Sequence, residues 1–473
     1  MTNILSLIKQ DHKRFSILKM FGELGDKMEI EVYAVGGYVR DLIMGRELTD
    51  MDVMVVGDGI DFAHQVADRL KVKRVVPFKE FGTAIIPHKD GQIEVASARK
   101  ELYEPSSRKP KVTYTDIEGD LHRRDFTINA MAISLRKDNL GELYDPYGGI
   151  RDLNKKIIRT PLDPDTTFSE DPLRIIRAVR FSTQLDFQIN PSVIESIKRQ
   201  VSRIEIVSAE RITAELYRIL KAEKPSIGFE LLLQTGLLKI IFPEIAKMSG
   251  MEQPSEWHHK DLFNHTLQVV NNICGMTDKR DLRFAALVHD IGKPETRRFD
   301  REMGWTFHGH EVVGTSIIKK IARRMRLSNK TKEYLQKLTL LHLRPIALAK
   351  DEVTDSAVRR LIVTAGDHLD DLMTLCRADI TTHNPVLVKR YLWNFDRVEK
   401  KIKAVVEKDE LKAFQSPVRG DVIMEECGIP PGPLVGKIKK AIEEAILDGD
   451  IENTYYAAYD YFQKIKDDFL TNH

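Results

Sequence analysis

The stretch Gly36-Gly37-Tyr38-Val39-Arg40-Asp41, followed by Asp50-Met51-Asp52 and the apolar run Val53-Met54-Val55-Val56, constrains this chain more than any other. The run is rich enough in valine to form a buried strand. Alternate side chains of a strand share one face, so Asp50 and Asp52 project together from its start. Two carboxylates side by side repel unless a cation lies between them, and an all-oxygen ligand pair suits Mg2+. The paired glycines let backbone N–H groups approach a polyphosphate closely. A lone Asp-x-Asp pair is commonplace in solvated turns. With glycines and Val-Arg-Asp before it and an apolar strand behind it, the pair implies a site for a nucleoside triphosphate and its metal ions.

A chain of 473 residues is too long for one core and should divide into three or four domains. Its hydrophobic and charged fractions, 42% and 30%, are those of a soluble globular protein. The sequence has no run of 18 apolar residues, and charges punctuate Met1 to Phe15, which argues against a membrane span and a signal peptide. Cys274, Cys376 and Cys427 are scattered without disulfide or metal spacing, as in a protein of the reducing cytoplasm. The net charge of +2 says little about partners. Locally, Lys319 to Lys337 holds eight Lys or Arg against Glu333 alone, either a phosphate-backbone contact or a solvated helix face.

Residues 1–150 alternate helical and strand-like patterns, with strands near Tyr33, Val53, Thr83 and Ile93. The polar stretch from Tyr103 to Asp116, with Pro105 and Pro110, has no apolar period and is expected to be a mobile loop. After Gly149, helical periodicity takes over. The expected fold is α+β: a head with a small mixed sheet at 1–150, then an all-α neck at 151–222, body at 223–400 and tail at 401–473. In the tail, Gly428 to Lys437 reads as a tight inter-helix turn rather than a phosphate site. No internal repeat is visible.

Further segments follow in order. They are Arg123-Arg124-Asp125-Phe126-Thr127-Ile128-Asn129-Ala130, Asp145-Pro146-Tyr147-Gly148-Gly149 with Asp152-Leu153, Glu170-Asp171-Pro172-Leu173-Arg174, and Arg211 with Glu215. Together with the opening motif they resemble the nucleotidyltransferase superfamily. The resemblance is to the bacterial branch of tRNA nucleotidyltransferases (CCA-adding enzymes) and their poly(A) polymerase relatives. It implies attack of an RNA 3′-hydroxyl on the α-phosphate of CTP or ATP, with two Mg2+ ions about 3.5–4 Å apart. Asp50 and Asp52 would be ligands, and Glu94 resembles the family's third. Gly36, Gly37 and Arg40 would hold the triphosphate, although Arg40 also suits an ion pair with Asp41. Asp125 would face the ribose, Asn129 belongs to the same nucleotide-binding motif, and Arg124 would contact a phosphate or fix its loop. Arg177 and Arg180 would line the RNA path or merely solvate their helix.

Asp171 and Arg174 would read the base. A helix beginning near Pro172 would put both on one face. A carboxylate only accepts and a guanidinium only donates, so the pair complements cytosine and adenine. Uracil and guanine place a carbonyl where the amino group should be. Buried hydrogen-bonding groups reject such mismatches strongly.

A second constellation lies in the body. His289-Asp290 follows the apolar Ala285-Ala286-Leu287-Val288, with His265 upstream and His308, His310, His342 and Asp379 downstream. Five of the chain's 14 histidines lie between 265 and 342, too dense a cluster for random placement. The order resembles the HD phosphohydrolase superfamily. It implies His265, His289, Asp290 and Asp379 as ligands, with His310 and His342 completing a second metal position. Imidazole with carboxylate suits Mn2+, Ni2+, Fe2+ or Zn2+, and Mg2+ suits a carboxylate-rich position. A bridging Asp290 would help activate water against a phosphate ester, unless the domain is a relic. His308 has no assigned role.

The resemblances imply tRNA, CTP and ATP as partners, no membrane, and a cytoplasmic monomer or homodimer. A poly(A) polymerase is the nearest rival, but Val75 to Thr83 lacks the arginine-rich signature of that branch. Enzymes adding only CC or only A differ partly in the mobile loop. An alarmone synthetase–hydrolase would carry its HD domain first, and a non-catalytic RNA-binding protein would not need Asp50, Asp52 and Asp125.

Overall fold

Nine strands form in the first part of the chain: β1 (Val32–Val35), β2 (Met51–Val55), β3 (Val76–Phe78), β4 (Thr83–His88), β5 (Gly91–Ser97), β6 (Arg99–Leu102), β7 (Lys111–Tyr114), β8 (Ala132–Ser134) and β9 (Leu143–Tyr144). Seven make one sheet in the order β3-β4-β5-β2-β1-β8-β9. Its β2–β5 pair is parallel and the other pairs are antiparallel, so the sheet is mixed, as expected. Every residue of β1 and all of β2 but Asp52 are buried, which explains why the other residues of both strands are apolar. The computed structural model describes residues 2–48, 50–89, 91–102, 111–253, 260–350, 354–382, 384–409 and 416–471.

One helix fixes the end of β5. Gly59–Leu70 is capped by Asp58, whose carboxylate accepts from the N–H groups of Ile60 and Asp61. It buries Phe62, Ala63, Val66 and Ala67. A Cβ on Gly59 would lie 2.6 Å from the Ser97 nitrogen, so only glycine lets this helix start so close to the strand.

β6 and β7 form a separate antiparallel ribbon. The expected mobile loop therefore contains a strand, β7, which a four-residue segment without an apolar period did not announce. The remainder of that stretch, 103–110, lies outside the described residues.

Two units divide the chain, Met1–Pro243 and Glu244–His473. In the first, the helices Pro164–Glu170, Leu173–Leu185, Pro191–Gln200 and Ala209–Leu220 follow the sheet. The expectation of an all-α region after the head needs correction in detail. Ile157–Ile158 pairs with Gln188–Ile189 in a parallel ribbon, and the second unit contains two short antiparallel ribbons. Strands of two or three residues are too short to carry a period.

The second unit is otherwise helical. Leu262–Cys274, Arg280–Val288, His310–Arg324, Asn329–Leu341 and Leu369–Ala378 precede a C-terminal group with its own core of Ile423, Ile438, Ile442 and Phe462. Gly428 ends a helix with φ +61, the turn expected there. The basic run 319–337 is split over two helices by Arg326, whose φ is +55. Its Arg324 is paired with Glu244 at 2.6 Å, whereas Lys319, Lys320 and Arg323 are exposed. No helix among the described residues is long and apolar enough to cross a membrane.

Candidate active sites

The parallel register of β2 and β5 sets Asp52 directly opposite Glu94. Asp50 Oδ1 accepts from the Gln92 N–H at 3.3 Å. All three carboxylates line one cleft of about 710 Å3, with nine arginines and three further carboxylates. Burial pushes the Asp52 carboxyl up to about 6, and Glu94 and Asp50 add to the rise against the opposing pull of Arg124 and Arg40. Three carboxylates without an ion-pair partner among the described residues fit a divalent cation with oxygen ligands. Their oxygens do not converge as tightly as the donors of the second unit.

The two glycines differ. Gly36 has φ +68, and a Cβ there would lie 2.7 Å from Arg124 Nη1 and 3.4 Å from Asp52 Oδ2. Its N–H donates to the Met131 carbonyl at 3.3 Å. Gly37 opens the helix Gly37–Ile43. Arg40 makes the expected bidentate pair with Asp41 at 2.9 and 2.7 Å, and its Nη1 donates to Asn129 Oδ1 at 2.8 Å.

Asp125 is buried and accepts from its neighbour Phe126 N, from Asn129 Nδ2 and from Arg177. Burial alone would raise its carboxyl; Arg177 and then Asn129 override that and hold it at about 2. Arg177 and Arg180 thus do more than solvate their helix. Arg180 is buried 3.1 Å from Glu215 and stacks 4.0 Å from the Phe181 ring centre.

The base-reading pair also needs a correction. The helix begins at Leu173, so Asp171 precedes it in extended backbone and shares no helix face with Arg174. Its Oδ1 caps Leu173 N at 3.1 Å, and its Oδ2 lies 3.3 Å from Arg211. Arg174 donates to Thr167 O, Glu170 and Arg123 O. Both residues still line the cleft, and they do not form a salt bridge with each other.

Asp120 escaped the sequence reading. It is buried, with one oxygen accepting from Arg123 and the other from Arg124 at 2.9 Å. Arg123 in turn offers its carbonyl to Arg174 at 2.6 Å. One carboxylate therefore orients the arginine beside Gly36 and the loop that braces Arg174. Its position three and four residues before two arginines was the available signal.

In the second unit, donor atoms of His265, His289 and Asp379 lie within 4.8 Å of one another, as do those of Asp290, His310 and His342. The helix Arg280–Val288 delivers His289 and Asp290 from its C-terminal end. Asp290 bridges the groups. Its Oδ2 lies 3.2 Å from His289 Nε2 and 3.5 Å from His265 Nε2, while its Oδ1 lies 3.3 Å from His310 Nε2.

The outer ring nitrogens are fixed. Nδ1 of His289, His310 and His342 each faces a carbonyl at 2.6–2.8 Å, and that of His265 faces Thr381 Oγ1 at 2.9 Å. A carbonyl only accepts, so Nδ1 of those three carries a proton, and Nε2 is the nitrogen that faces the carboxylates and would offer a lone pair to a cation. His310 and His342 aim their Nε2 atoms at each other across 3.3 Å. His289 Nε2 and Asp379 Oδ1 are buried without hydrogen-bond geometry to any partner among the described residues, although each lies within 3.2 Å of a donor or acceptor of the cluster. This donor set fits divalent cations. His308 is exposed and outside both groups. Lys293, which the sequence reading passed over, donates to Asp290 Oδ2 at 2.6 Å.

Three family models match the chain in succession: the poly A polymerase head domain at residues 32–159, a probable RNA and SrmB-binding site of polymerase A at 186–248, and the HD domain at 262–379. Residues 32–159 are thus similar to the poly A polymerase head domain, and the HD match follows the head and RNA-binding matches in the order that the motifs implied. A curated relative, the A-adding tRNA nucleotidyltransferase of Geobacter sulfurreducens, is 41% identical over 233 residues, which is 49% of this chain. The match spans about a quarter, 26%, of that relative's length. Among solved structures, a tRNA nucleotidyltransferase with a primer tRNA and an incoming ATP analog aligns over 80% of this chain and 98% of its own, with TM-score 0.57 and 26% identity. The Bacillus stearothermophilus CCA-adding enzyme in complex with CTP aligns over 97% of this chain and 99% of its own, with TM-score 0.65. At 22% identity, that likeness concerns the fold.

Proposed function

We propose that this chain adds CMP and AMP from CTP and ATP to the 3′ end of tRNA, without a nucleic-acid template, and that its HD domain is a metal-dependent phosphohydrolase. The observation that carries the first part is the shared cleft, in which Asp50, Asp52 and Glu94 face the same space as Asp171 and Arg174. In the reaction, the RNA 3′-oxygen bonds to the α-phosphorus, the bond to the β-phosphate breaks and pyrophosphate leaves. Asp50, Asp52 and Glu94 would hold Mg2+, which supplies charge to the entering and leaving oxygens. Arg40 and Arg124 would face the triphosphate, Asp125 and Asn129 the ribose, and Arg177 and Arg180 would order the wall behind them. Arg174 keeps Nε and one Nη2 hydrogen beyond its three protein acceptors, enough to donate to a base edge. Asp171, outside the helix, would accept from the base amino group.

Four segments would share the work: a head at 1–150, a base-reading neck at 151–222, an HD body at 223–400 and a tail at 401–473. The protein would act in the cytoplasm as a monomer or homodimer. Its HD groups would take Mn2+, Ni2+, Fe2+, Zn2+ or Mg2+, and Asp290 would bridge two ions. The 41% identity to an A-adding enzyme favours a second reading, addition of the terminal A alone. Incubating tRNAs that lack CCA, or only A, with each labelled NTP separately and in pairs decides between them. CCA addition gives three added nucleotides with CTP plus ATP; A-addition gives one, and only on tRNA ending in CC. Incorporation of UTP or GTP at equal rates would overturn both.

A further inference from the structure

Two exposed aromatic rings stand at the edge of the carboxylate cleft, and none of the roles assigned so far uses them. Phe81 ends a single turn, Lys79–Phe81, between β3 and β4, and is 39% exposed. Tyr114 ends β7 and is 69% exposed. Gly82 separates Phe81 from β4 with φ +56, and a Cβ there would lie 3.4 Å from Tyr114 Cε1. The tyrosine ring therefore rests against the glycine that follows Phe81. A lone exposed ring is ordinary on a protein surface. What sets these two apart is the arginine that fastens them to the cleft.

That arginine is Arg99, which lines the cleft together with Asp50, Asp52, Thr83 and Glu94. Its Nη1 donates to the Phe81 carbonyl and, at 3.1 Å, to Thr83 Oγ1, and its guanidinium lies 5.5 Å from the Phe81 ring centre. In the β6–β7 ribbon Arg99 is paired with Tyr114. One residue thus ties both ring-bearing segments to the cleft wall. Its own carbonyl accepts from Arg123 Nε at 2.9 Å, and the Arg123 carbonyl accepts in turn from Arg174, the arginine proposed to read the incoming base. Sheet order supplies the direction. β1, β2, β5 and β4 are neighbours in that order, so the carboxylates of β2 and β5 lie between the glycine turn after β1 and Thr83 of β4. Thr83 is one strand, about 5 Å, across from Ala96, which is two residues, about 7 Å, along β5 from Glu94. In an in-line displacement the entering oxygen approaches phosphorus from the side opposite the leaving group. With the triphosphate at Gly36, Gly37 and Arg40, pyrophosphate leaves on the β1 side and the RNA 3′-oxygen enters on the β4 side.

We propose that Phe81, with Tyr114 beside it, is a stacking platform for the 3′-terminal base of the RNA being extended, and that it sets the terminal ribose in line with the α-phosphate of the NTP. The proposal rests on the nucleotidyl-transfer reading and adds to it a residue that holds the RNA end rather than the NTP. Base–aromatic stacking is indifferent to sequence, because every base has a π-face. That suits RNAs that differ in their last base. Arg99 fixes the Phe81 segment through its carbonyl and the ring through its face, so little freedom remains to be lost when a base lands on it.

The test uses the full chain, Mg2+, labelled CTP or ATP, and tRNA transcripts that lack CCA or only its A. Each transcript is made with its natural 3′-terminal nucleotide and with an abasic ribose in that position. The readouts are KM for the RNA and KM for the NTP. Phe81→Ala should raise KM for the natural RNA about tenfold, the order of one base–aromatic stack, and leave KM for the NTP unchanged. Phe81→Trp should restore the native value. For the native chain, KM should rise about as much on the abasic RNA, and Phe81→Ala should add no further loss there. An unchanged KM for the natural RNA in Phe81→Ala overturns the platform. So does an equal loss on natural and abasic RNA, which would show that the ring only supports the local fold. A rise confined to KM for the NTP would place the ring at the incoming nucleotide and overturn its role at the RNA end. If the native chain extends neither natural tRNA with either nucleotide, the nucleotidyl-transfer reading itself fails and the platform fails with it.

Discussion

Asp171 and Arg174 show how a role is set by what a residue touches. Because Asp171 caps Leu173 N, Asp171→Ala would disturb the helix as well as the cleft. Asp171→Asn keeps an oxygen for the cap and offers a donor where the carboxylate accepted. The advantage of CTP and ATP over UTP should then fall about ten- to a hundredfold in single-turnover incorporation. Arg174→Ala should cost more for both correct nucleotides, and unchanged selectivity in these variants would remove the pair from base reading. Asp125 gives a pH-dependent counterpart. Its folded value of about 2 lies below the ordinary carboxylate value near 3.9, so the stabilisation is present above 3.9 and lost as pH falls from there through 2. Arg177→Met leaves that carboxyl buried without its main counter-charge, a loss on the order of 3 kcal/mol. Acid unfolding followed by circular dichroism should move to higher pH in this variant. An unshifted midpoint would mean that the pair contributes nothing to the fold.

At the scale of elements, the legibility of the sequence follows the length over which a pattern repeats. The run from Val53 to Val55 is apolar because β2 is buried at the centre of the sheet, and the strand beginning at Gly91 could be read from its alternation. The parallel pairing that sets Asp52 against Glu94 is a long-range register, invisible locally; the family resemblance supplied Glu94 as a third carboxylate and not the register. The two-residue ribbons and β7 repeat too little to signal themselves. Asp171 shows a boundary problem: Pro172 correctly marked the helix start, but one residue decided whether Asp171 stood on the helix or before it. The HD histidines were legible as a cluster, whereas the ring of Phe81 was overlooked because its chemistry depends on Arg99, 18 residues away in the sequence, meeting it. Asp120 was missed for a related reason: its acceptors point to two arginines whose roles had already been assigned.

At the scale of the whole molecule, two metal-suited sites lie in two separate units with different donors. The first has carboxylates alone, and the second mixes four imidazoles with two carboxylates. Hard oxygen ligands favour Mg2+, and imidazole favours first-row transition ions. After exhaustive chelation, Mg2+ should therefore restore nucleotide addition, and Mn2+, Ni2+ or Co2+ should restore phosphate-ester hydrolysis more effectively than Mg2+. Substitutions should divide the activities in the same way. Asp52→Ala removes a carboxylate facing the cleft and should reduce incorporation on the order of a thousandfold, while the proposed tRNA binding should survive if it rests on basic contacts elsewhere. Asp290→Ala removes the one carboxylate among the described residues within reach of His265, His289 and His310 together, and should abolish hydrolysis while incorporation continues. Radiolabel incorporation and 31P NMR on the same preparations measure both. Normal incorporation by Asp52→Ala would remove the metal assignment in the head. Retained hydrolysis in Asp290→Ala would remove the bridge. Loss of both activities in Asp290→Ala with an unchanged melting temperature would contradict the independence of the two sites, because the two units would then have to communicate without unfolding.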